Sequence, residues 1–218
     1  MPTRTPLPPP AAVDDAGDDT LDDDFGDAFG VSETDDPRAA VARFRSPLTR
    51  KLLGGDGLTT TLLESWAGSR LRVGDVTLRL VRPGRAPRGA AALLGTGTAP
   101  GPDLLVRHST LVDARGRMWS WNQVVAGPPG DPALRRCLTD VSAPLGPALR
   151  AAGARLGRTV VRAGVAPWPG GPGGPGGPPG PRAAACRTYR LWCGDEVLAA
   201  VREVFNPAHV PAELRETP

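Results

Sequence analysis

Lysine, histidine, cysteine and aromatic side chains are all scarce in this chain of 218 residues. Its three cysteines, Cys137, Cys186 and Cys193, are odd in number, and none stands at metal-ligand spacing with His108 or His209. That pattern argues against a disulfide framework and against a Cys/His zinc site, so a reducing cytoplasm is the expected setting. No P-loop, GxSxG or HExxH motif is present, and the Gly-rich tracts lack the strand-to-helix context that phosphate binding needs. No metal or organic cofactor is expected. No apolar run approaches the roughly 20 residues that span a bilayer. The first residues, MPTRTPLPPPAAVDD, also lack the basic-then-apolar order of a secretory signal. Neither a membrane span nor export is expected.

What is abundant is glycine, proline and arginine. The formal net charge of +3 conceals a division along the chain. Residues 1–37 carry ten Asp and Glu33 against Arg4 alone, whereas residues 38–218 carry about twice as many bases as acids. Of the 26 basic residues only Lys51 is a lysine. Arginines this scattered, with so few aromatics between them, read as the amino-acid bias of a GC-rich coding sequence, not as a nucleic-acid footprint. No nucleic-acid partner is expected.

Residues 1–37 join a proline cluster to the run DDAGDDTLDDDFGDAFG, which has too few apolar groups to offset its charge repulsion, so a disordered tail is expected there. A second low-complexity stretch, 169–181, consists only of Gly and Pro and reads as a flexible insertion. The folded domain is expected over 38–211, with 212–218 as a C-terminal tail. Within it, Leu58 to Ala67 reads as a helix closed by Gly68. Residues 70–82 alternate as a strand with a break at Gly74-Asp75, and 83–103 read as a loop. Two hairpins follow, 104–112 with 118–125 and 186–193 with 197–205. Between them lie a helix capped by Asp131 with Pro132 at its first position, a short helix from about Leu145 to Ala152, and a strand over 157–165. Hairpins with helices grouped between them predict a single α+β domain, an antiparallel sheet with helices on one face.

The strand period shows which charges lie on apolar faces. Over 197–205, Glu203 shares a face with Val197, Ala199, Val201 and Phe205. Over 104–112, Arg107 shares one with Leu105, Ser109 and Leu111. A buried charge is costly unless it is paired or meets a ligand of opposite sign. The two could pair with each other or with other residues across the sheet, or they could face a ligand. Burial alone would raise the pKa of Glu203, as suits a proton donor near neutral pH.

Four segments in order, LLGGDGLTTTLLESWAG at 52–68, LLVRHSTLVDARGRMWSW at 104–121, PLG at 144–146 and VREVFNP at 201–207, resemble the chorismate pyruvate-lyase family of bacterial, actinobacterial type. The resemblance implies an approximately six-stranded antiparallel sheet with helical flaps over a buried ligand site. It implies that Arg107 grips the ring carboxylate of chorismate, that Leu58 and Leu145 offer backbone groups to it, and that Glu203 faces the end where pyruvate leaves. Gln123 stands where the ubiquinone-pathway lyases carry an arginine, which puts the substrate in doubt more than the fold.

The activity so implied is cofactor-independent, acid-assisted elimination of chorismate to 4-hydroxybenzoate and pyruvate by a monomer, with Arg107 and Glu203 catalytic. Two alternatives remain at this stage. One is a related lyase of specialised metabolism acting on another chorismate-like acid. The other is a non-catalytic domain binding an aromatic acid, like the effector domains of bacterial transcription regulators. Those regulators carry a winged helix-turn-helix upstream, which the acidic first 37 residues cannot supply.

Overall fold

Six strands carry the domain: β1 Arg72–Val81, β2 Leu104–Val112, β3 Met118–Ala126, β4 Leu156–Pro167, β5 Ala183–Cys193 and β6 Glu196–Phe205. They form one sheet in the order β1-β2-β3-β6-β5-β4, every neighbouring pair antiparallel. The computed structural model describes residues 36–96, 101–169 and 182–215. The expected disordered tail, up to residue 35, and almost all of the expected Gly/Pro insertion lie outside the described residues. The α+β class and the six-stranded antiparallel sheet are as expected. Among the described residues no helix is long and apolar enough to cross a membrane.

Local chemistry places the elements. The break at Gly74-Asp75 is a register shift between Val73 and Val76. Gly74 is needed there because a Cβ would sit 2.3 Å from Thr110 Oγ1 on the neighbouring strand. Helices α1, Pro37–Ala42, and α2, Pro47–Gly54, are separated at Pro47, and Ser46 caps α2 by accepting from the Thr49 amide at 3.2 Å. Helix α3, Thr59–Ala67, ends on Gly68 at φ 63°, the left-handed conformation glycine adopts without strain. Asp131 caps α5, Pro132–Thr139, with Pro132 at its first position, and α6 is Leu145–Ala151. The segment expected as a loop over 83–103 instead holds a 3-10 turn, Pro83–Arg85, and a short helix α4, Ala90–Leu94.

Strand alternation sorts the packing. Val124, Tyr189, Leu191, Ala199 and Val201 meet Leu138 of α5 and Leu149 of α6. Leu111, Ala185 and Phe205 meet Leu52 and Leu53 of α2 and Leu63 of α3. Residues of the other parity, Val106, Val125 and Ala200, pack under Ala90 and Leu93 of α4. Four helices therefore cover the face that carries Glu203, while α4 covers part of the other. Each fully buried Leu contributes about 1.5–3 kcal/mol of hydrophobic stabilisation. Residues 212–215, expected as part of a tail, run beside the α1–α2 link. There Arg45 N donates to Glu213 O at 2.9 Å and Arg215 N to Arg43 O at 2.7 Å.

Candidate functional site

On the helix-covered face the sheet leaves a recess of about 80 Å³. Its floor takes one or two side chains from each strand, among them Val73, Ser109, Asn122, Tyr189 and Glu203. Its walls are the start of α3, through Leu58, Thr59 and Thr60, and the start of α6, through Leu145 and Gly146. The two walls touch closely: a Cβ on Gly146 would lie 3.0 Å from Leu58 Cδ2. Asp56 and Arg150 stand exposed at the mouth.

Glu203 sits at the base, 5 % exposed, with every contact made to protein donors. Its Oε1 accepts from Thr59 Oγ1 at 2.8 Å and from the Tyr189 hydroxyl at 3.2 Å. Its Oε2 accepts from Arg187 Nε at 2.7 Å. Arg187, 1 % exposed, spends its other nitrogens on Thr59 Oγ1 at 2.7 Å and on the carbonyls of Leu52, Leu53 and Gly55. Arg158 lies over the Tyr189 ring, 4.2 Å from its centroid, and donates to Gly57 O at 2.8 Å. The α2–α3 turn is thus fastened to β4, β5 and β6 by two guanidinium groups and one carboxylate.

The electrostatics follow. Burial pushes the Glu203 carboxyl up, but Arg187, Arg158 and the hydrogen bonds from Arg187 and Thr59 outweigh it and hold the pKa below its ordinary value. The sequence expectation of a raised pKa is therefore corrected, because the partner charge that burial invited is present. Burial and the neighbouring Glu203 charge raise the Tyr189 hydroxyl, so it remains a neutral donor. With Glu203 matched by Arg187, the ionised groups left around the recess are Arg150 and Arg158 against Asp56, a surplus of positive charge.

Of the residues expected at a site, Leu58, Leu145 and Glu203 line this recess together. Arg107 and Gln123 do not. Arg107 is 1 % exposed and turns to the α5–α6 link, donating from Nη1 to Leu138 O at 3.1 Å and Asp140 O at 2.5 Å, and from Nη2 to Ala143 O at 3.3 Å. Burial lowers its pKa, with Asp140 partly opposing. Gln123 has the other strand parity and lies on the reverse face, 2.9 Å from His108 Nε2 through its Nε2. The neighbour on the recess side is Asn122.

Sequence reasoning missed Thr59, Asn122, Arg158, Arg187 and Tyr189. Alternation in CRTYRLWC puts Arg187 on the face of Tyr189 and Leu191, and alternation in MWSWNQVV puts Asn122 with Val124. Both assignments were available from the strand period used for Glu203.

No family model matches the chain, and no curated protein matches it. Among solved structures it is similar to PhnF from Mycobacterium smegmatis, at 16% identity over 75% of this chain and 69% of that one, TM-score 0.47. The effector domain of the same protein matches at 16% identity over 74% and 96%, TM-score 0.47. The C-terminal domain of histidine utilization repressor from Pseudomonas syringae pv. tomato matches at 14% over 68% and 100%, TM-score 0.43. At such TM-scores the likeness transfers no residue role. The ligand-binding domain of a putative GntR-family transcriptional regulator from Bordetella bronchiseptica also matches, at 20% identity over 68% and 96%, TM-score 0.40. None of these similar structures is a chorismate lyase, and the expected family is corrected. The expected lyase activity, with chorismate, 4-hydroxybenzoate and pyruvate as substrate and products, is corrected with it.

Proposed function

We propose that the domain binds a small organic anion in the recess between the sheet and the starts of α3 and α6, and releases it unchanged. The observation that carries this reading is the saturation of Glu203. A carboxylate that accepts from Thr59, Tyr189 and Arg187 is a structural anchor and has no proton to give. What the recess offers a ligand is apolar wall from Leu58, Leu145 and Leu191, with the cations Arg150 and Arg158. A concave, mostly apolar site with a few polar groups is the usual form of a small-molecule pocket. The start of α3 adds to the attraction: Leu58 supplies no side-chain cap, so the first amides of the helix present partial positive charge.

Thermal melts in the presence of matched probes test the reading. Benzoate and phenylphosphonate should raise the melting temperature, whereas benzamide and benzylamine should not. At about ten times its Kd a ligand adds about 1.4 kcal/mol, which is some 3–6 °C for a domain of this size. Equal shifts from the neutral and cationic probes, or chemical change of a bound probe, would overturn the proposal.

A further inference from the structure

The recess holds only about 80 Å³, and beside its mouth a groove of about 510 Å³ opens between α3 and α6. The two spaces are continuous, since Leu58, Thr60, Pro144 and Arg150 border both. The recess alone is smaller than the roughly 300–1,000 Å³ of ordinary ligand pockets, and with the groove the space enters that range. Leu71, Pro147 and Ala151 give the groove its apolar lining, and Thr61, Glu64 and Arg70 complete it. Glu64 is already matched: Oε1 accepts from the Leu71 amide at 3.0 Å, and Oε2 lies 3.9 Å from Arg70 Nη1. The polar groups shared by the two spaces are not. Arg150, exposed in the last turn of α6, forms no ion pair among the described residues. Thr60 is 8 % exposed, and its hydroxyl has no hydrogen-bond partner among the described residues. Unlike Thr110 Oγ1, that hydroxyl is not closed to solvent. A largely buried hydroxyl without a partner forgoes a bond that a ligand can supply.

We infer that recess and groove form one elongated ligand site, with Thr60 and Arg150 gripping the anionic group of the ligand where the two spaces meet. This rests on the binding reading above and extends it outward from the sheet. A compact apolar group fills the recess, and an apolar arm lies along Leu71, Pro147 and Ala151 in the groove. The ligand class is therefore an organic acid with apolar substituents on both sides of its anionic group, the shape of an N-acylated amino acid. An acid of the size of benzoate occupies the inner part of the site and leaves the groove empty.

Calorimetric titration of the full chain with N-acetylphenylalanine and N-hexanoylphenylalanine, with benzoate as the reference acid, tests the inference. The two acylated probes are monoanions with the same side chain, and the second has four more methylene groups in its arm. In the wild type the longer arm should bind about tenfold tighter, the gain expected when an open groove buries roughly half of the added apolar surface. Thr61→Trp and Ala151→Trp each fill the groove from one wall at an exposed position. In both variants the ratio of the two affinities should fall to about twofold or less. That ratio is taken within one protein, so a general change in affinity or stability does not enter it. Thr60→Val keeps the shape and removes the hydroxyl; both acylated probes should weaken about threefold to tenfold with their ratio preserved. Equal affinities in the wild type, no binding of the acylated probes where benzoate binds, or a tenfold ratio kept in either groove variant would overturn the elongated site and leave anion binding in the recess standing. Unchanged affinities in Thr60→Val would overturn the position given to the anionic group. Failure of all three acids to bind the wild type would overturn both readings.

Discussion

Arg187 Nε stands 2.7 Å from Glu203 Oε2, with the two side chains 1 % and 7 % exposed. The pair lies directly across β5 and β6, where the backbone register sets Arg187 opposite Glu203. Adjacent strands therefore place the two charges before any helix is added, and the helices then complete their hydrogen bonding. Thr59 and the carbonyls of Leu52, Leu53 and Gly55 supply the remaining partners. Taking two charges out of water is repaid only when their remaining donors and acceptors are satisfied, and here they are.

Removing either charge alone should therefore destabilise the fold. Glu203→Gln and Arg187→Met each leave one buried ion without its counter-charge, a loss of about 3–5 kcal/mol. Chemical denaturation would read it as a lower midpoint at an unchanged slope. A loss under about 1 kcal/mol in both variants would show that water reaches the pair and screens it.

Acid should act through the same carboxylate. The folded-state pKa of Glu203 lies below its unfolded value, so the stabilisation is present above the ordinary Glu pKa of about 4.3 and is lost as the pH falls below it. Melting temperatures followed from neutral pH downward should decline more steeply for the wild type than for Glu203→Gln. Parallel declines would mean that other carboxylates dominate acid unfolding.

Arg107 makes a separate fastening. The carbonyl of Leu138 in the last turn of α5 and those of Asp140 and Ala143 in the α5–α6 link accept from it, and α6 carries Leu145 and Gly146 to the recess. Arg107→Met leaves those carbonyls short of donors in a buried place, a cost of about 1–3 kcal/mol per unsatisfied group. Amide exchange should speed up over 138–152 in that variant and remain slow in β5 and β6. Arg107→Lys should recover part of the protection, since one ammonium reaches fewer carbonyls than the planar guanidinium. Uniform exchange changes throughout the domain would contradict a local role.

Much of the fold was legible because its determinants are local. Gly68 and Gly74 marked a helix end and a strand break, Asp131-Pro132 marked a helix start, and the two hairpins were visible in their alternation. Helix α4 was not, because Ala90–Leu94 is a single short turn of alanines and leucines in a Gly/Pro-rich stretch and is held by packing on Val125 and Ala200. Glu203 was visible on its apolar face, but the sign of its pKa shift depends on Arg187 and Arg158, whose approach is set by strand pairing. For Arg107 the strand period leaves pairing or a ligand open, and its ligand role came from the family resemblance alone. The face of a strand residue follows from the period, whereas the carbonyls that receive it come from a helix end more than thirty residues away.

Gly74 offers a test of packing that is independent of the site. Gly74→Ala sets a methyl group against Thr110 Oγ1 and Val112 Cγ1, contacts of 2.3 and 3.1 Å before relaxation. Overpacking of this kind costs about 1–3 kcal/mol. Thr110 Oγ1 is buried without a hydrogen-bond partner, so Thr110→Ala should cost little and should relieve most of the clash in the double variant. Additive losses would show that the strand moves away instead of the side chain.

The binding claim is tested most directly by calorimetric titration of the wild type and of Leu145→Trp with benzoate, followed by recovery of the probe. The larger side chain extends the α6 wall into the recess without touching Glu203 or Arg187. We expect the wild type to bind one benzoate per chain, Leu145→Trp to bind at least about tenfold more weakly at an unchanged far-ultraviolet spectrum, and the recovered probe to be chemically unaltered. Equal binding by the two proteins would place any anion site elsewhere on the domain and contradict the assignment of this recess.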